Sequence, residues 1–320
     1  MIRIAILDDY AGLSLDCADW STLGTECEVT VFNEHLGFDD DVVVAALNPF
    51  DVLVCMRERT PLTKARIDRL ENLKLIVTTG MRNLAFDMVA ARDRGIPVCG
   101  TRNPDYHACE HAWALTMALV KQIPSEDRAM KAGKWQTTLG RGFSGKVFGL
   151  LGLGKVGARA AKVALALDMK VIAWSANLTD ERAAEVGAQR VEKEDLFRQA
   201  DVLQIHTLLS DRTRGLVGAQ ELALMKPTSY LINTSRGPIV ETDALVNALQ
   251  NKALTGAAVD VYDHEPLPRD HVLRSLDNLV LTGHTAPVIR EFYETGYQQS
   301  LECVVAWLKG TPLRVLNEAR

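Results

Sequence analysis

A glycine-rich stretch in the middle of the chain constrains the fold more than any other feature. Gly152, Gly154 and Gly157 form a G-x-G-x-x-G pattern, with an apolar run at 147–151 before it and an alanine-rich run at 158–167 after it. This is the order of strand, tight turn and helix in which a dinucleotide pyrophosphate rests on N–H groups at a helix N-terminus. A glycine-rich turn between any buried strand and helix is the structural alternative.

Strand-like and helix-like segments alternate along nearly the whole chain, which is typical of α/β proteins with parallel sheets. The run at 169–174 lies where a βαβ unit requires its second strand, which favours dinucleotide binding. Pro104 just before a helix at 106–123 and Pro124 just after it fit helix start and stop signals. The predicted strands are 2–7, 28–32, 51–56, 73–78, 96–99, 171–174, 202–206, 230–233, 256–261 and 279–281. The predicted helices include 40–47, 64–70, 87–94, 106–123 and 288–308.

Two successive sheets predict two domains. We expect two doubly wound parallel-sheet lobes of the α/β class, in which a Rossmann dinucleotide-binding domain (103–287) is inserted into a flavodoxin-like substrate domain (1–102 and 288–320). The late helix at 288–308 is long enough to cross back to the first lobe. It would leave residues 312–317 to pack there.

The bulk composition limits the possible classes of partner. A formal net charge of −5 gives no support to nucleic-acid binding, which favours a basic surface. No apolar run approaches the roughly 20 residues of a membrane helix, and a strand-like run directly after Met1 argues against a signal peptide. The six cysteines form no C-x-x-C pair. We expect a cytoplasmic protein with free thiols and without metal, membrane or nucleic-acid partners.

Three polar side chains follow predicted strands of the second domain. Arg236, Glu265 and His284 each come after one of its last three strands, at the edge where α/β folds bind ligands. Alone, each is better explained by a structural role, in a turn, in a solvated loop or as a structural histidine. Together they can divide a carbonyl reduction: the arginine holds a carboxylate and polarises the carbonyl, the histidine gives the proton, and the glutamate orients the imidazole and stabilises its charged form.

These residues belong to a series of short sequence blocks. The blocks are Gly152-Leu-Gly-Lys-Val-Gly157, His206-Thr207, Thr213-Arg-Gly215, Met225-Lys-Pro227, Asn233-Thr-Ser-Arg-Gly237, Ala244-Leu245, Asp260-Val-Tyr-Asp-His-Glu-Pro266 and His284. In order and spacing they resemble the D-isomer-specific 2-hydroxyacid dehydrogenases, which include glyoxylate/hydroxypyruvate reductases and phosphoglycerate dehydrogenase. The resemblance runs nearly from end to end.

The resemblance implies an NAD(P)-dependent oxidoreductase that interconverts a small 2-keto acid, such as glyoxylate or hydroxypyruvate, and a D-2-hydroxy acid. It implies that Arg236 binds and polarises the substrate, that His284 is the acid/base, and that Glu265 orients His284. The implied cofactor-binding residues are Gly152, Gly154, Lys155, Val156, Gly157, His206, Thr207, Thr213, Thr234 and Asp260. A homodimer is also implied, with the helix that carries Trp113 at its interface, although Trp113 and Met117 fit an intramolecular core equally well.

The first domain is expected to supply the rest of the substrate pocket. In the family a loop after the fourth strand usually reads Gly-x-Gly, whereas here it is Gly80-Met81-Arg82. The backbone N–H groups of Met81 and Arg82 are the predicted carboxylate donors, and arginine in place of glycine leaves the loop geometry open while adding a cation. Arg57 resembles a substrate-contacting arginine of phosphoglycerate dehydrogenases, with an ion pair to Glu58 as the alternative.

The strand at 169–174 lacks the acid that usually selects NAD. In NAD enzymes an Asp or Glu about 20 residues beyond the glycines binds the ribose hydroxyls and repels a 2′-phosphate. Here Ser175 follows the strand, and no carboxylate occurs before Asp180. Ser175 is therefore a predicted cofactor-binding residue, and the missing charge favours NADP(H) over NAD(H). An NAD enzyme that binds its ribose weakly is the alternative.

A second class of function uses the same fold. Nucleotide-sensing transcriptional corepressors bind partner peptides and retain the catalytic residues. Such proteins are expected to carry long disordered extensions, whereas this sequence ends at Arg320, soon after the last predicted element. We therefore expect an enzyme.

Overall fold

The computed structural model describes residues 1–318 and confirms an α/β chain with two parallel sheets. Its strands are β1 (Ile2–Leu7), β2 (Cys27–Val31), β3 (Val52–Cys55), β4 (Leu75–Thr78), β5 (Val98–Gly100), β6 (Val147–Leu151), β7 (Lys170–Trp174), β8 (Gln189–Arg190), β9 (Val202–Ile205), β10 (Tyr230–Asn233), β11 (Gly256–Val259) and β12 (Leu279–Leu281). Its helices are α1 (Ser14–Cys17), α2 (Asp40–Leu47), α3 (Lys64–Arg69), α4 (Met88–Asp93), α5 (His107–Val120), α6 (Ile123–Lys131), α7 (Lys155–Ala166), α8 (Asp180–Ala184), α9 (Lys193–Gln199), α10 (Ala219–Leu224), α11 (Thr242–Gln250) and α12 (Arg290–Leu308).

The chain divides into two compact units. Unit 1 comprises Met1–Pro104 and the segment from Val288 onward, and unit 2 comprises Asp105–Pro287. The predicted division falls at 102/103 and 287/288. That unit 2 serves the cofactor and unit 1 the substrate stays a prediction.

Unit 1 is built on a five-stranded sheet in the order β2-β1-β3-β4-β5, with every neighbouring pair parallel. This is the flavodoxin-like strand order. Strands β3 and β4 are buried along their whole length, as expected of strands covered on both faces. Helices α2, α3 and α4 begin after Asp39, Thr63 and Asp87, whose side chains accept hydrogen bonds from N–H groups of the first turn.

The C-terminal segment after α12 returns to the sheet of unit 1. The N–H of Leu316 donates to the carbonyl of Val98 at 2.7 Å. The buried side chain of Asn317 accepts from the N–H of Val98 and donates to the carbonyl of Ile96, both at 2.9 Å. These bonds confirm that residues 312–317 pack on the first lobe.

Unit 2 is built on a seven-stranded parallel sheet in the order β12-β11-β10-β9-β6-β7-β8. Counted outward from β6, the strands follow the Rossmann order with a seventh strand at one edge. Strand β8 is missing from the predicted elements because a two-residue strand shows no period. Strands β10, β11 and β12 are neighbours, so the residues that follow them emerge side by side.

The predicted helix at 106–123 is wrong at its C-terminal end. Helix α5 ends at Val120, and Gln122 adopts a left-handed conformation (φ 58°) before α6 begins. Pro124 lies in the first turn of α6, where its missing N–H costs no helical hydrogen bond. The proline therefore belongs to the start of a second helix and does not end the first.

Trp113 belongs to the core of unit 2. Its ring stacks on Phe148, with centroids 5.0 Å apart, and meets Phe143 edge-on at 6.1 Å. Its indole N–H donates to the carbonyl of Ala160 at 3.3 Å. The sequence leaves open a dimer interface or an intramolecular core for Trp113 and Met117. Trp113 lies in the intramolecular core, whereas Met117 on the same helix is exposed.

Candidate active site

The glycine pattern forms the turn between β6 and α7. Gly152 has a φ of +105°, and a Cβ on it would lie 2.8 Å from backbone atoms of His206 and Thr207. A Cβ on Gly157 would lie 2.3 Å from the carbonyl oxygen of Gly152. Both positions therefore require glycine. The close contact also brings His206 and Thr207, two further predicted cofactor residues, against the glycine turn.

The N-terminus of α7 is open to a ligand. A Cβ on Gly154 would meet no atom within 4 Å, and no side chain of residues 1–318 caps the helix that begins at Lys155. Gly154 and Lys155 are exposed, and Val156 is half-buried. Helix N–H groups without a cap, together with the helix dipole, attract phosphate groups. The residues predicted to hold a pyrophosphate therefore lie at an open helix N-terminus whose N–H groups are suited to bind a pyrophosphate.

The carboxyl end of β7 carries Ser175 in a tight turn. Ser175 is half-buried, and its carbonyl accepts the N–H of Leu178 at 3.0 Å. Thr179 caps α8 by accepting the N–H of Arg182 at 3.2 Å, and the guanidinium of Arg182 pairs with Glu185. The strand is thus followed by a hydroxyl group, and the next cation along the chain, Arg182, faces a carboxylate.

His206 is a neutral ring beside the glycine turn. Its Nε2 lies 2.8 Å from Oε1 of Gln204, whose Nε2 donates to Oγ1 of Thr116 at 2.8 Å. Because Gln204 accepts through Oε1, His206 carries its hydrogen on Nε2 and leaves Nδ1 as an acceptor. Burial lowers the pKa of His206 to about 4. The ring is therefore uncharged at neutral pH.

The two predicted threonines have different surroundings. The hydroxyl of Thr213 donates to the carbonyl of Leu208 at 2.6 Å, so it holds its own turn. Thr234 directly follows β10 and is buried. Its neighbour Ser235, which lies in the block 233–237 without a predicted role, donates from its hydroxyl to the carbonyl of Thr207 at 2.8 Å. That bond joins the loops after β9 and β10.

His284 and Glu265 form a hydrogen-bonded pair after β12 and β11. Nδ1 of His284 lies 2.6 Å from Oε2 of Glu265, and Oε1 of the same carboxylate accepts the N–H of Tyr262 at 2.9 Å. The side chains are 20% and 28% exposed, so solvent reaches both only in part. The carboxylate fixes the ring and its tautomer, and Nε2 is the ring nitrogen left for proton transfer.

Arg236 lies in a turn that packs on the loop of Glu265. A Cβ on the next residue, Gly237, would lie 2.1 Å from the backbone carbonyl carbon of Tyr262, so only glycine fits there. Asn233 donates through Nδ2 to the carbonyl of Arg236 at 3.0 Å and thereby holds the turn. The structure thus brings together the loops that carry the three predicted catalytic residues.

Asp260 is wholly buried behind the loop that follows β12. Its carboxylate accepts the N–H groups of Thr285 and Ala286, at 2.7 and 3.1 Å, and the hydroxyl of Thr282 at 2.6 Å. Burial by itself raises the pKa of this carboxyl, but hydrogen bonds from His111 and Thr282 outweigh burial and the net pKa is lowered. Asp260 is therefore an ionised support of this loop, and its contact with a cofactor stays a prediction.

His111 is a functional candidate that no sequence motif indicates. It lies in the first turns of α5, with Nε2 at 3.2 Å from Oδ1 of Asp260 and 3.1 Å from Oγ1 of Thr282. Both partners are distant along the chain, so their contact cannot be read from a local pattern. A polar ring in a mostly apolar helix is the one signal that the sequence offers.

Unit 1 places Arg57 beside Gly80. A Cβ on Gly80, whose φ is +131°, would lie 2.9 Å from Nη1 of Arg57. The N–H of Arg57 donates to Oγ1 of Thr79 at 3.0 Å, and its carbonyl accepts from Nδ2 of Asn83 at 2.7 Å. Arg57 also pairs with Glu58, with Nε and Oε2 3.6 Å apart. Arg57 therefore lies beside the predicted carboxylate-binding loop and also forms the ion pair with Glu58 that is the alternative interpretation.

Met81 and Arg82 form the exposed part of the same loop. Both side chains are exposed, and the φ of Arg82 is not positive, unlike that of Gly80. The third loop position therefore does not require glycine. The loop geometry that the sequence leaves open accommodates an arginine.

Within residues 1–318, no group of three or more His, Cys, Asp or Glu side chains is arranged to hold a metal ion. No helix in this described part is long and apolar enough to cross a membrane. All six cysteines are free thiols.

Comparison with known proteins identifies relatives of both units. A family model described as "D-isomer specific 2-hydroxyacid dehydrogenase, NAD binding domain" matches residues 113–286. A glyoxylate reductase of Aeropyrum pernix is 34% identical, over 84% of this chain and 86% of its own length. A solved phosphoglycerate oxidoreductase of Vibrio cholerae is 36% identical with a TM-score of 0.91, over 97% of this chain and 100% of that one.

Some relatives are much longer than this chain. A D-3-phosphoglycerate dehydrogenase of Archaeoglobus fulgidus is 33% identical over 91% of this chain but only 55% of its own length. This chain therefore spans about half the length of that relative.

Proposed function

Because the chain belongs to the D-isomer-specific 2-hydroxyacid dehydrogenase family, we propose that it is an NAD(P)-dependent oxidoreductase. It interconverts a small 2-keto acid and a D-2-hydroxy acid. One observation carries the proposal: Nδ1 of His284 lies 2.6 Å from Oε2 of Glu265, and the two residues lie in the loops that follow two neighbouring strands. This is the geometry of an oriented acid/base.

Each of the three residues that follow β10, β11 and β12 has a separate task. In reduction, Nε2 of His284 holds the proton that passes to the carbonyl oxygen, and in oxidation the neutral ring accepts it. Glu265 fixes the ring and stabilises the imidazolium by a charge-assisted hydrogen bond. Arg236 binds the substrate carboxylate and polarises the carbonyl. A nicotinamide dinucleotide, when bound, supplies the hydride for reduction.

Unit 2 has the residues that such a cofactor needs. The open N-terminus of α7, with Gly154 in open space, would hold the pyrophosphate. His206 and Thr207, packed on Gly152, would line the nicotinamide half. Ser175 would face the adenosine ribose, and the absence of an acid at this strand end supports NADP(H) over NAD(H).

The substrate class follows from relatives and from unit 1. Relatives named glyoxylate reductase support a glyoxylate- or hydroxypyruvate-like acid. In unit 1, the N–H groups of Met81 and Arg82 would bind its carboxylate. The guanidinium of Arg57, held beside Gly80, adds a positive charge that favours an anion.

The chain is also proposed to form a homodimer in the cytoplasm. The segment after α5 exposes Met130, Trp135 and Leu139, with relative exposures of 51%, 74% and 94%. Large apolar side chains so close together in the sequence favour burial against a second subunit. The six free thiols are consistent with a reducing compartment.

The decisive experiment offers a panel of 2-keto acids with NADPH and with NADH and follows the absorbance of the nicotinamide. We expect turnover on small keto acids, and we expect His284→Ala to lower kcat severely while cofactor affinity is retained. The matched control is His271→Ala, because His271 is a half-buried histidine of unit 2 whose Nδ1 accepts the N–H of Leu273. Absence of turnover by the unaltered protein on every acid would refute the proposal.

A further inference from the structure

His284 has a backbone conformation that needs external support. Its φ is +55°, in the left-handed region. Residues other than glycine avoid this region because their Cβ approaches the backbone too closely. Such a conformation persists at a functional site only where neighbouring groups determine it. The groups that hold the loop 282–286 therefore decide where the imidazole lies.

The loop is held on both sides of His284. On the C-terminal side, the N–H groups of Thr285 and Ala286 donate to the carboxylate of Asp260. On the N-terminal side, the hydroxyl of Thr282 donates to the same carboxylate. The backbone carbonyl of Thr282 accepts a hydrogen bond from the hydroxyl of Tyr262 at 2.7 Å. Asp260 is thus the common acceptor of the loop.

His111 joins this arrangement from α5. Because the hydroxyl hydrogen of Thr282 goes to Asp260 at 2.6 Å, the same oxygen is left to accept a hydrogen bond from Nε2–H of His111 at 3.1 Å. That N–H also lies 3.2 Å from Oδ1 of Asp260. The ring, 19% exposed, ties the helix to both groups that hold the N-terminal end of the loop.

We propose that His111 is a positioning residue for His284: its hydrogen bonds to Asp260 and Thr282 keep the loop 282–286 in the conformation that places His284 against Glu265. The inference rests on the proposed role of His284 in proton transfer. Without the ring, the buried carboxylate lacks one donor and Thr282 is no longer tied to α5. The loop then samples conformations in which His284 is turned away from Glu265.

The test compares His111→Ala with His111→Gln, whose amide nitrogen can occupy the position of Nε2. In His111→Ala we expect kcat for keto-acid reduction to fall about tenfold, the effect of losing one hydrogen bond to a buried charge, with the Kd for NADPH unchanged. His111→Gln should recover most of this loss. The control His271→Gln lies outside the loop and should leave kcat at the level of the unaltered protein.

Amide hydrogen exchange provides a measurement that does not depend on activity. Thr285 and Ala286 should exchange about tenfold faster in His111→Ala, and at the original rate in His111→Gln and His271→Gln. Unchanged exchange together with unchanged kcat in His111→Ala would overturn the proposal. If the unaltered protein reduces no keto acid, the proposed function fails, and the exchange rates still decide whether His111 holds the loop.

A second variant keeps the test decisive if His111→Ala does not fold. Thr282→Val removes the hydroxyl that lies between His111 and Asp260 while nearly keeping the volume of the side chain. As in His111→Ala, we expect faster amide exchange at Thr285 and a lower kcat. Exchange and kcat both equal to those of the unaltered protein would refute the network.

Discussion

Glu265→Gln tests whether the carboxylate beside His284 takes part in the proposed proton transfer. Glutamine has nearly the same shape but only one oxygen, so it can keep only one of two bonds: to Nδ1 of His284 at 2.6 Å or to the N–H of Tyr262 at 2.9 Å. The negative charge is lost in either case. A hydrogen bond to a charged group contributes about 1.5–3 kcal/mol, which corresponds to about 10- to 150-fold in rate. We expect kcat to fall within this range.

The assay is steady-state oxidation of NADPH by a saturating keto acid, with the Kd for NADPH measured separately. Asp263→Asn is the matched control, because Asp263 lies in the same loop and its carboxylate accepts the hydroxyl of Thr242 at 2.6 Å. Its kcat should stay near that of the unaltered protein. Full activity of Glu265→Gln would refute the role of the carboxylate, and an equal loss in Asp263→Asn would show that loop folding alone explains the effect.

Two further predictions concern the cofactor site. Ser175→Asp should shift the preference toward NADH, because a carboxylate accepts the ribose hydroxyls and repels a 2′-phosphate; an unchanged ratio of kcat/KM for the two cofactors would place the ribose elsewhere. Acid should destabilise unit 2 through His206, since its pKa is about 4 in the folded chain and about 6.5 when unfolded. The unfolded state then binds more protons between these values, so the free energy of unfolding falls as pH decreases from about 7 to about 4. Denaturant titrations should show a smaller fall in His206→Asn, and an equal fall would contradict the prediction.

Much of the fold and part of the site can be predicted from the sequence, because both depend on local patterns. Alternating apolar strands and amphipathic helices specify parallel sheets, and parallel strands bring their carboxyl ends to one edge. Residues that follow successive strands, such as Arg236, Glu265 and His284, are therefore expected to lie near one another from their positions in the sequence alone. The structure confirms two parallel sheets and a contact between Glu265 and His284.

Other features depend on contacts between distant parts of the chain. His111 and Ser235 acquire their partners only when α5 and the loops after β9 and β10 come together. Helix α5 ends at Val120, four residues before the proline that the sequence offers as its stop signal, because Gln122 turns the chain into a second helix. No local residue preference specifies these features.

Left-handed backbone conformations are another feature that local sequence does not fully predict. Asp168 and Lys252 have positive φ values, and each follows a helix, where a left-handed residue commonly ends the last turn. Arg57 and His284 share this conformation, with φ values of 54° and 55°, but both lie in loops after strands. Side chains from other segments hold their loops, as Asp260 does for His284. The conformation of these two predicted site residues therefore depends on contacts with side chains from other segments of the chain, and substitutions of those side chains should impair the site while leaving Arg57 and His284 themselves unchanged.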